Sequence, residues 1–221
     1  MAPVDLLYFV NPMCSWCWGF APALRGVEAA FAGRVTVTVA LGALGDPGRP
    51  MRERDKAFVR EHWCHVRELT GQPFDFGFFA REGFTYDTGP ACRAVAAVRA
   101  AAPERALGYL HRLHEAFYAR GRDIRETDVL ADEAEAVGLE RGRFMDALAS
   151  PGLAEAVQAE WAQTAALGVT GYPTLLGVAP GRPPAVLSLG CRPAGAVLAE
   201  VGRFLDEASG REPAGTDGSP G

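Results

Sequence analysis

The chain has 221 residues, which is enough for one large domain or for one domain that carries a sizeable insertion. Hydrophobic residues make up 48% of it, and 22 Lys and Arg residues against 27 Asp and Glu residues give a formal net charge of -5. From this ordinary globular composition we expect no nucleic-acid partner, because the basic residues are dispersed and outnumbered, and no membrane span, because no apolar run is long enough.

The first fifty residues predict a strand, a helix and a second strand. Residues 4–10 are rich in β-branched and aromatic side chains and end at an Asn-Pro pair, which is typical of a buried strand. We expect a helix from about Cys14 to Phe31 and a β-branched strand over residues 35–41, and the three elements predict a βαβ unit. Because the amino end shows neither the basic segment nor the cleavage site of an export signal, we expect its apolar stretch to be a core strand of a cytoplasmic protein.

The following segment, residues 51–167, has an almost purely helical pattern. Gly and Pro residues divide it into about five or six helices, and its apolar residues recur at helical spacing. Three stripes are expected to face a core: Val59, Trp63, Val66 and Leu69; Leu107, Leu110, His114 and Phe117; and Leu153, Val157 and Trp161. The segment is therefore predicted to be a helical subdomain.

The carboxyl-terminal part predicts a β-hairpin and one more helix. Residues 169–178 and 186–190 have strand patterns on either side of a turn rich in Gly and Pro. Residues 193–208 predict an amphipathic helix. Residues 209–221 contain no large apolar side chain that could offset the entropy of ordering them, so a disordered tail is expected.

Taken together, the two ends of the chain give the order β-α-β, gap, β-β-α. Neither end could build a covered sheet alone, so a single α/β domain interrupted by helices explains this order better than independent pieces. We therefore expect an amino-terminal half at residues 1–50, a helical insertion at residues 51–167 and a carboxyl-terminal half at residues 168–208.

The clearest chemical signal is Cys14-Ser15-Trp16-Cys17, directly after the first strand and at the start of the helix. Free backbone N–H groups and the positive end of the helix dipole stabilise a thiolate there, so the pKa of Cys14 should lie below the usual value of about 8.5. Cys17, one turn further in, is close enough to close a disulfide with it. We expect Cys14 to attack a disulfide and Cys17 to resolve the mixed disulfide, and we expect no metal, because no second CxxC is present.

The remaining cysteines carry weaker signals, and the total of five excludes a complete set of disulfides within one chain. Cys92 stands at a predicted helix start beside Arg93, which makes it a candidate third redox thiol. The alternative is a small buried residue that packs the insertion against the active-site helix. Cys64 and Cys191 are expected to be inert.

A second signal is Pro173 at the mouth of a late strand, where proline indicates an edge, a bulge or a cis peptide bond. A strand, a CxxC that opens a helix, and a much later Gly-x-Pro-Thr before a hairpin resemble the thioredoxin superfamily. The helical insertion narrows the resemblance to the DsbA-like branch. The segments NPMCSWCWGFAP, PACRAV, AFYARGRDI and GVTGYPT resemble the cytoplasmic FrnE-like group in particular, over roughly residues 4–206.

The resemblance implies a thioredoxin fold interrupted by a large all-helical insertion, with Cys14 as nucleophile and Cys17 as resolving thiol. It also implies that Pro173 is a cis-proline facing the disulfide and that Tyr172 offers backbone groups to an extended substrate. The other expected substrate-binding residues are Ser15, Trp16, Trp18 and Thr174. We expect at least one tryptophan to lie open beside the sulfur, whereas Trp18 has the alternative of capping the junction with the insertion.

The predicted function is thiol-disulfide exchange with proteins or small molecules, without a cofactor beyond the Cys14–Cys17 disulfide. Glutathione is a candidate electron donor or co-substrate. One alternative is a glutathione-dependent transferase or isomerase of the kappa or 2-hydroxychromene-2-carboxylate type, whose members use a serine where Cys14 stands. Another is a non-catalytic holdase-type binding module. The Ser-Trp dipeptide differs from the Pro-His of strongly oxidising periplasmic relatives, so the redox direction stays open, as does the choice between monomer and homodimer.

Overall fold

The computed structural model describes residues 3–45 and 48–209. Its amino-terminal half contains β1 Val4–Val10, α1 Ser15–Ala30 and β2 Val35–Leu41, and its carboxyl-terminal half contains β3 Thr174–Val178, β4 Ala185–Leu189 and α8 Ala194–Ala208. Between them lie α2 Glu53–Thr70, α3 Gly89–Ala101, α4 Ala106–His114, α5 Thr127–Ala136, α6 Arg141–Leu148 and α7 Leu153–Ala166. Short 3₁₀ turns at Phe76–Ala80 and Pro103–Arg105 and a π turn at Glu115–Ala119 join some of these helices.

The four strands form one mixed sheet in the order β2-β1-β3-β4. β1 and β2 run parallel, as the predicted βαβ unit requires, whereas β3 is antiparallel to both β1 and β4. The predicted order β-α-β, helices, β-β-α is therefore confirmed. β3 begins only at Thr174, five residues later than the pattern predicted, because Pro173 lacks the N–H group that a ladder position needs.

The helices bury the sheet and the sheet in turn positions α1. α1 packs against both α2 and α8, and α4 and α7 contact β2. The described part of the chain contains no helix that is long and apolar enough to cross a bilayer. Residues 210–221, which include most of the predicted disordered tail, lie outside the described residues.

Two of the three apolar stripes face the core as predicted, and one is wrong in its last member. The stripe from Leu107 to Phe117 is buried throughout, and Val157 is buried between two half-buried neighbours. Leu69, however, is 64% exposed, although Trp63 and Val66 of the same stripe are fully buried. Leu69 lies in the last turn of α2, just before the C-cap residue Gly71, where no neighbouring element covers its side chain.

The insertion has an aromatic core centred on Trp63, whose indole is fully buried. Six rings have their centroids 4.9–6.1 Å from its own: Phe74, Phe76, Phe78, Phe79, Phe117 and Tyr118. This cluster fixes α2 to the rest of the insertion, and so determines where α2 stands relative to the start of α1.

Candidate active site

The turn between β1 and α1 is organised by Asn11, which is fully buried. Its Oδ1 accepts from the backbone N–H of Met13 at 2.9 Å, and its carbonyl accepts from the N–H of Cys14 at 3.0 Å. Its Nδ2 donates to the carbonyl of Gly42 at 2.8 Å and to Oγ1 of Thr88 at 3.2 Å. One side chain therefore joins the active-site turn to the end of β2 and to the start of α3. The sequence pattern indicated Asn11 only as a strand end, although an Asn-Pro pair also signals a side chain that hydrogen-bonds within its own turn.

Two further side chains hold the same turn from the insertion. Tyr86 donates its hydroxyl to the carbonyl of Met13 at 2.6 Å, and Nε2 of His114 lies 3.3 Å from the carbonyl of Asn11. Burial lowers the pKa of His114 to about 3, so its ring is neutral at neutral pH. Because a carbonyl only accepts, Nε2 must carry the proton of that contact.

Cys14 is the N-cap of α1 and its carbonyl accepts from the N–H groups of Cys17 at 3.0 Å and Trp18 at 3.1 Å. The two thiols are not bonded to each other in this structure. Cys14 retains 6% exposure, whereas Cys17 has none. The helix start therefore leaves Cys14 slightly accessible and shields Cys17 completely.

The two thiols have opposite electrostatic environments. A hydrogen bond from the Cys17 thiol lowers the pKa of Cys14, with further help from the N–H groups of Cys17 and Trp16, and this outweighs the opposing effect of burial. Burial raises the pKa of Cys17 well above its ordinary value, and its hydrogen bond to Cys14 adds to the increase. Cys14 is thus the thiol that ionises first, which is the property required of an attacking sulfur.

The loop before β3 approaches this sulfur from the other half of the fold. The Tyr172–Pro173 bond is cis, and the Cys14 thiol donates to the Tyr172 carbonyl at 3.5 Å. The Tyr172 ring crosses Gly42 so closely that a Cβ at Gly42 would lie 1.9 Å from the tyrosine hydroxyl. Residues separated by 158 positions in the sequence therefore meet at one sulfur.

The structure separates the two tryptophans of the motif. Trp16 is half-buried beside Cys14, and its Nε1 donates to Nδ1 of His62 at 3.2 Å. Trp18 is only 5% exposed, and its Nε1 donates to the carbonyl of Pro73 at 3.0 Å. The indole of Trp18 therefore packs into the junction with the insertion, which is the alternative expected for it.

Two other candidate residues also turn inward. Thr174 is buried and donates its hydroxyl to the carbonyl of Gly171 at 2.9 Å, so its side chain closes the loop. Cys92 is fully buried, and burial raises its pKa to about 12. Desolvation outweighs the hydrogen bond with Thr88 and the charge of Arg93, which favours the alternative of a buried packing residue over a third redox thiol. Cys191 is half-buried, and burial raises its pKa to about 11.

A cavity of about 460 Å³ opens directly beside Cys14. The start of α1, the segment after β2, one face of α2 and Tyr86 enclose it. Its lining consists of Met13, Cys14, Ser15, Trp16, Leu44, Gly45, Arg49, Met51, Asp55, Phe58, Val59, His62 and Tyr86. Ser15 and Trp16 line the cavity beside the Cys14 sulfur, and their role in substrate binding stays a prediction. The α2 residues of the lining were not predicted from the sequence. Their recurrence at helical spacing could have indicated a shared face, but not that this face points toward Cys14.

Comparison with known proteins identifies the family. A family model described as the DSBA-like thioredoxin domain matches residues 6–177. The chain belongs to this family. It therefore has the DsbA-like oxidoreductase fold that the sequence motifs resembled. Within the described residues, no group of three or more His, Cys, Asp or Glu side chains is placed to hold a metal ion.

Solved structures of the DSBA-like family cover almost the whole chain. A proposed protein disulfide isomerase from Nitrosomonas europaea is 31% identical with a TM-score of 0.85, and the match covers 93% of this chain and 98% of that one. The cytosolic disulfide reductase DsbM from Pseudomonas aeruginosa is 28% identical with a TM-score of 0.71, over 93% of this chain and 94% of that one. DsbM has also been solved with GSH. A 2-hydroxychromene-2-carboxylate isomerase shares the fold, at 15% identity and a TM-score of 0.64.

Curated relatives are more distant. The ClpXP adapter protein SpxH of Halalkalibacterium halodurans is 25% identical over 179 residues, which are 79% of this chain and 58% of that protein. SpxH of Bacillus subtilis is 23% identical over 178 residues, with 78% and 58% coverage. The chain thus spans a little over half the length of the curated relatives that it matches.

The environment of Cys14 in this DSBA-like domain gives a testable pH dependence. Alkylation requires the thiolate, whose fraction falls as the pH drops through the folded-state pKa, so a lowered pKa extends reactivity toward neutral pH. Replacing Cys17 by alanine removes the largest cause of that lowering. We expect the pH midpoint of Cys14 alkylation by iodoacetamide, followed by mass spectrometry, to rise in this variant. Cys64→Ala is the control and should leave the midpoint unchanged; an equal or lower midpoint in Cys17→Ala would contradict the assignment.

Proposed function

We propose that this chain is a thiol-disulfide oxidoreductase in which Cys14 is the nucleophile and Cys17 the resolving thiol. The observation that supports this most directly is the pair of thiols with opposed pKa shifts at the start of α1, beside the Tyr172 carbonyl. A nucleophile of this kind must be ionised and accessible, whereas a resolving thiol must stay protonated until the mixed disulfide has formed.

The proposed reaction takes place in two exchanges. The Cys14 thiolate attacks one sulfur of a substrate disulfide, whose other sulfur leaves as a thiolate, and a mixed disulfide forms. Cys17 then loses its proton to solvent and attacks the Cys14 sulfur, which releases the second substrate thiolate. The Cys14 and Cys17 thiols are oxidised to a disulfide while the substrate gains two electrons, and the reverse sequence donates the disulfide. Glutathione remains a candidate for returning the pair to the thiol form, since the relative DsbM has been solved with GSH.

We place the substrate chain along the loop that carries Pro173. The Tyr172 carbonyl contacts the Cys14 thiol at 3.5 Å, so a segment bound through backbone hydrogen bonds at this loop would lie next to the attacking sulfur. Ser15 and Trp16 flank the same sulfur, and the half-buried indole supplies apolar contact area. We also propose a cytoplasmic location, in line with DsbM, which is a cytosolic disulfide reductase.

The alternatives have less support from this chain. The isomerase with the related fold is too distant to suggest more than the fold, and the resemblance gives that class a serine where this chain has Cys14. The SpxH relatives are ClpXP adapter proteins, and an adapter would bind a protein without disulfide exchange. Such a role would not require two thiols with opposed pKa shifts.

The equilibrium redox potential of the Cys14–Cys17 pair in glutathione buffers tests the proposal, with Cys14→Ser as control. A potential near the thioredoxin value of about -270 mV would assign a reductant, and one near about -120 mV a disulfide donor. Failure of the pair to form a disulfide at any glutathione poise would overturn the oxidoreductase proposal. Binding of a protein partner by the Cys14→Ser variant would then become the leading function.

A further inference from the structure

The cavity beside Cys14 is large enough for a substrate group and is walled mainly by apolar side chains. Its volume of about 460 Å³ falls in the range of small-molecule sites. The apolar wall consists of Met13, Trp16, Leu44, Met51, Phe58 and Val59. Because the Cys14 sulfur is part of the lining, a group attached to that sulfur in a mixed disulfide starts at the cavity itself.

Four polar side chains of the lining form hydrogen bonds within the protein: Arg49, Asp55, His62 and Tyr86. Arg49 donates to Asp55 at 2.5 Å, and the same carboxylate accepts from the N–H of Arg52 at 2.9 Å. These contacts, of which that of Arg49 is the strongest, lower the pKa of Asp55 to about 2 and keep it charged. His62 and Tyr86 are also engaged, through Nδ1 with Trp16 and through the hydroxyl with the Met13 carbonyl.

Glutathione gains less free energy from these walls than an apolar group does. It carries two carboxylates and an ammonium group, and charged groups lose free energy when they leave water without a partner. The basic side chain of the lining, Arg49, is paired with Asp55, whose negative charge disfavours a second carboxylate nearby. An aromatic or branched apolar group is stabilised by these walls, because it gains free energy from each unit of apolar area removed from water.

We infer that the cavity selects disulfides whose reacting sulfur carries, or stands next to, a bulky apolar group, in preference to glutathione disulfide. This inference rests on the proposed function, because it assigns the substrate class of the same sulfur. The apolar group would lie against Phe58 and Val59 while Cys14 attacks. The Phe58 side chain is 62% exposed, and a substrate group at the cavity mouth would cover it.

The test compares second-order rates of reduction by the reduced protein for three substrates: a neutral disulfide with a 2-phenylethyl group, its methyl counterpart, and glutathione disulfide. Each rate is divided by the rate of the same substrate with dithiothreitol, which removes differences in intrinsic reactivity. We expect the phenylethyl disulfide to exceed the methyl one by about tenfold or more after this correction, because the ring leaves water. Glutathione disulfide should be the slowest.

Three variants sharpen the test. Val59→Trp fills the cavity and should remove the preference for the phenylethyl group. Leu69→Ser replaces an exposed apolar residue of α2 outside the cavity lining, so it should retain the preference. Asp55→Asn removes the carboxylate that pairs with Arg49 and should raise the corrected glutathione rate several-fold.

A second arm distinguishes the source of the apolar group. Peptide disulfides with Phe or Gly next to the cysteine replace the small molecules, and a Phe preference would assign the cavity to a protein side chain. A preference confined to the small disulfides would assign it to a small-molecule substrate. Equal corrected rates in both arms, or a faster glutathione rate, would overturn the selectivity and leave the oxidoreductase proposal standing. If the protein reduces none of the substrates and forms no Cys14–Cys17 disulfide, the proposed function itself fails.

Discussion

Replacing Cys14 by serine is expected to lower the rate of disulfide exchange by at least about a thousandfold, because a serine hydroxyl is not ionised at neutral pH and cannot replace a thiolate. Replacing Cys17 by serine should have a different outcome. That variant retains the attacking thiol, so it should react once and remain as a mixed disulfide. Single-turnover kinetics with mass spectrometry of the intact protein separate the two effects, since only Cys17→Ser should gain the mass of the substrate thiol.

Cys64→Ser provides the matched control for these substitutions. It makes the same chemical change on a half-buried residue of α2 outside the cavity lining, and we expect its exchange rate to equal that of the unmodified protein. Exchange that persists in Cys14→Ser would move the nucleophile to another thiol, with Cys191 the next to be tested. A Cys17→Ser variant that turns over without a trapped adduct would show that Cys17 does not resolve the intermediate.

The local parts of this fold could be predicted from sequence because each depends on neighbouring residues. β1, α1 and β2 follow from β-branched runs and helical spacing, and the position of Cys14 at a helix start follows from the Asn-Pro pair just before it. The pKa of Cys14 is lowered, which is the predicted direction. The largest cause of this lowering is different, however: the hydrogen bond from Cys17 contributes more than the N–H groups of the helix start.

Features that depend on which elements pack together could not be predicted in the same way. A helix start beside Arg93 suggested an activated Cys92, but the burial of that thiol in the core raises its pKa. The helical period continued to Leu69, yet the period does not say where the neighbouring elements end. The cavity wall on α2 faces Cys14 because α2 packs both against α1 and against the aromatic core around Trp63.

The cluster around Trp63 therefore connects the stability of the insertion to the shape of the site. Replacing Trp63 by alanine is expected to lower the free energy of unfolding by about 3–5 kcal/mol, because the indole is fully buried and its removal leaves a cavity among six rings. Equilibrium denaturation in urea measures this loss. Trp63→Phe should cost less than half as much, since it keeps most of the ring volume and removes an indole N–H that has no partner among the described residues.

Leu69→Ala tests whether the loss of stability in Trp63→Ala arises from removing a buried side chain or from changing a helix position to alanine. Both residues belong to α2, and alanine is a strong helix former at either position. Because Leu69 is 64% exposed, its replacement should change the free energy of unfolding by no more than about 0.5 kcal/mol. A loss at Leu69 comparable to that at Trp63 would mean that the last turn of α2 is covered in solution. A small loss at Trp63 would mean that the aromatic cluster does not hold α2, and the cavity wall beside Cys14 would need another support.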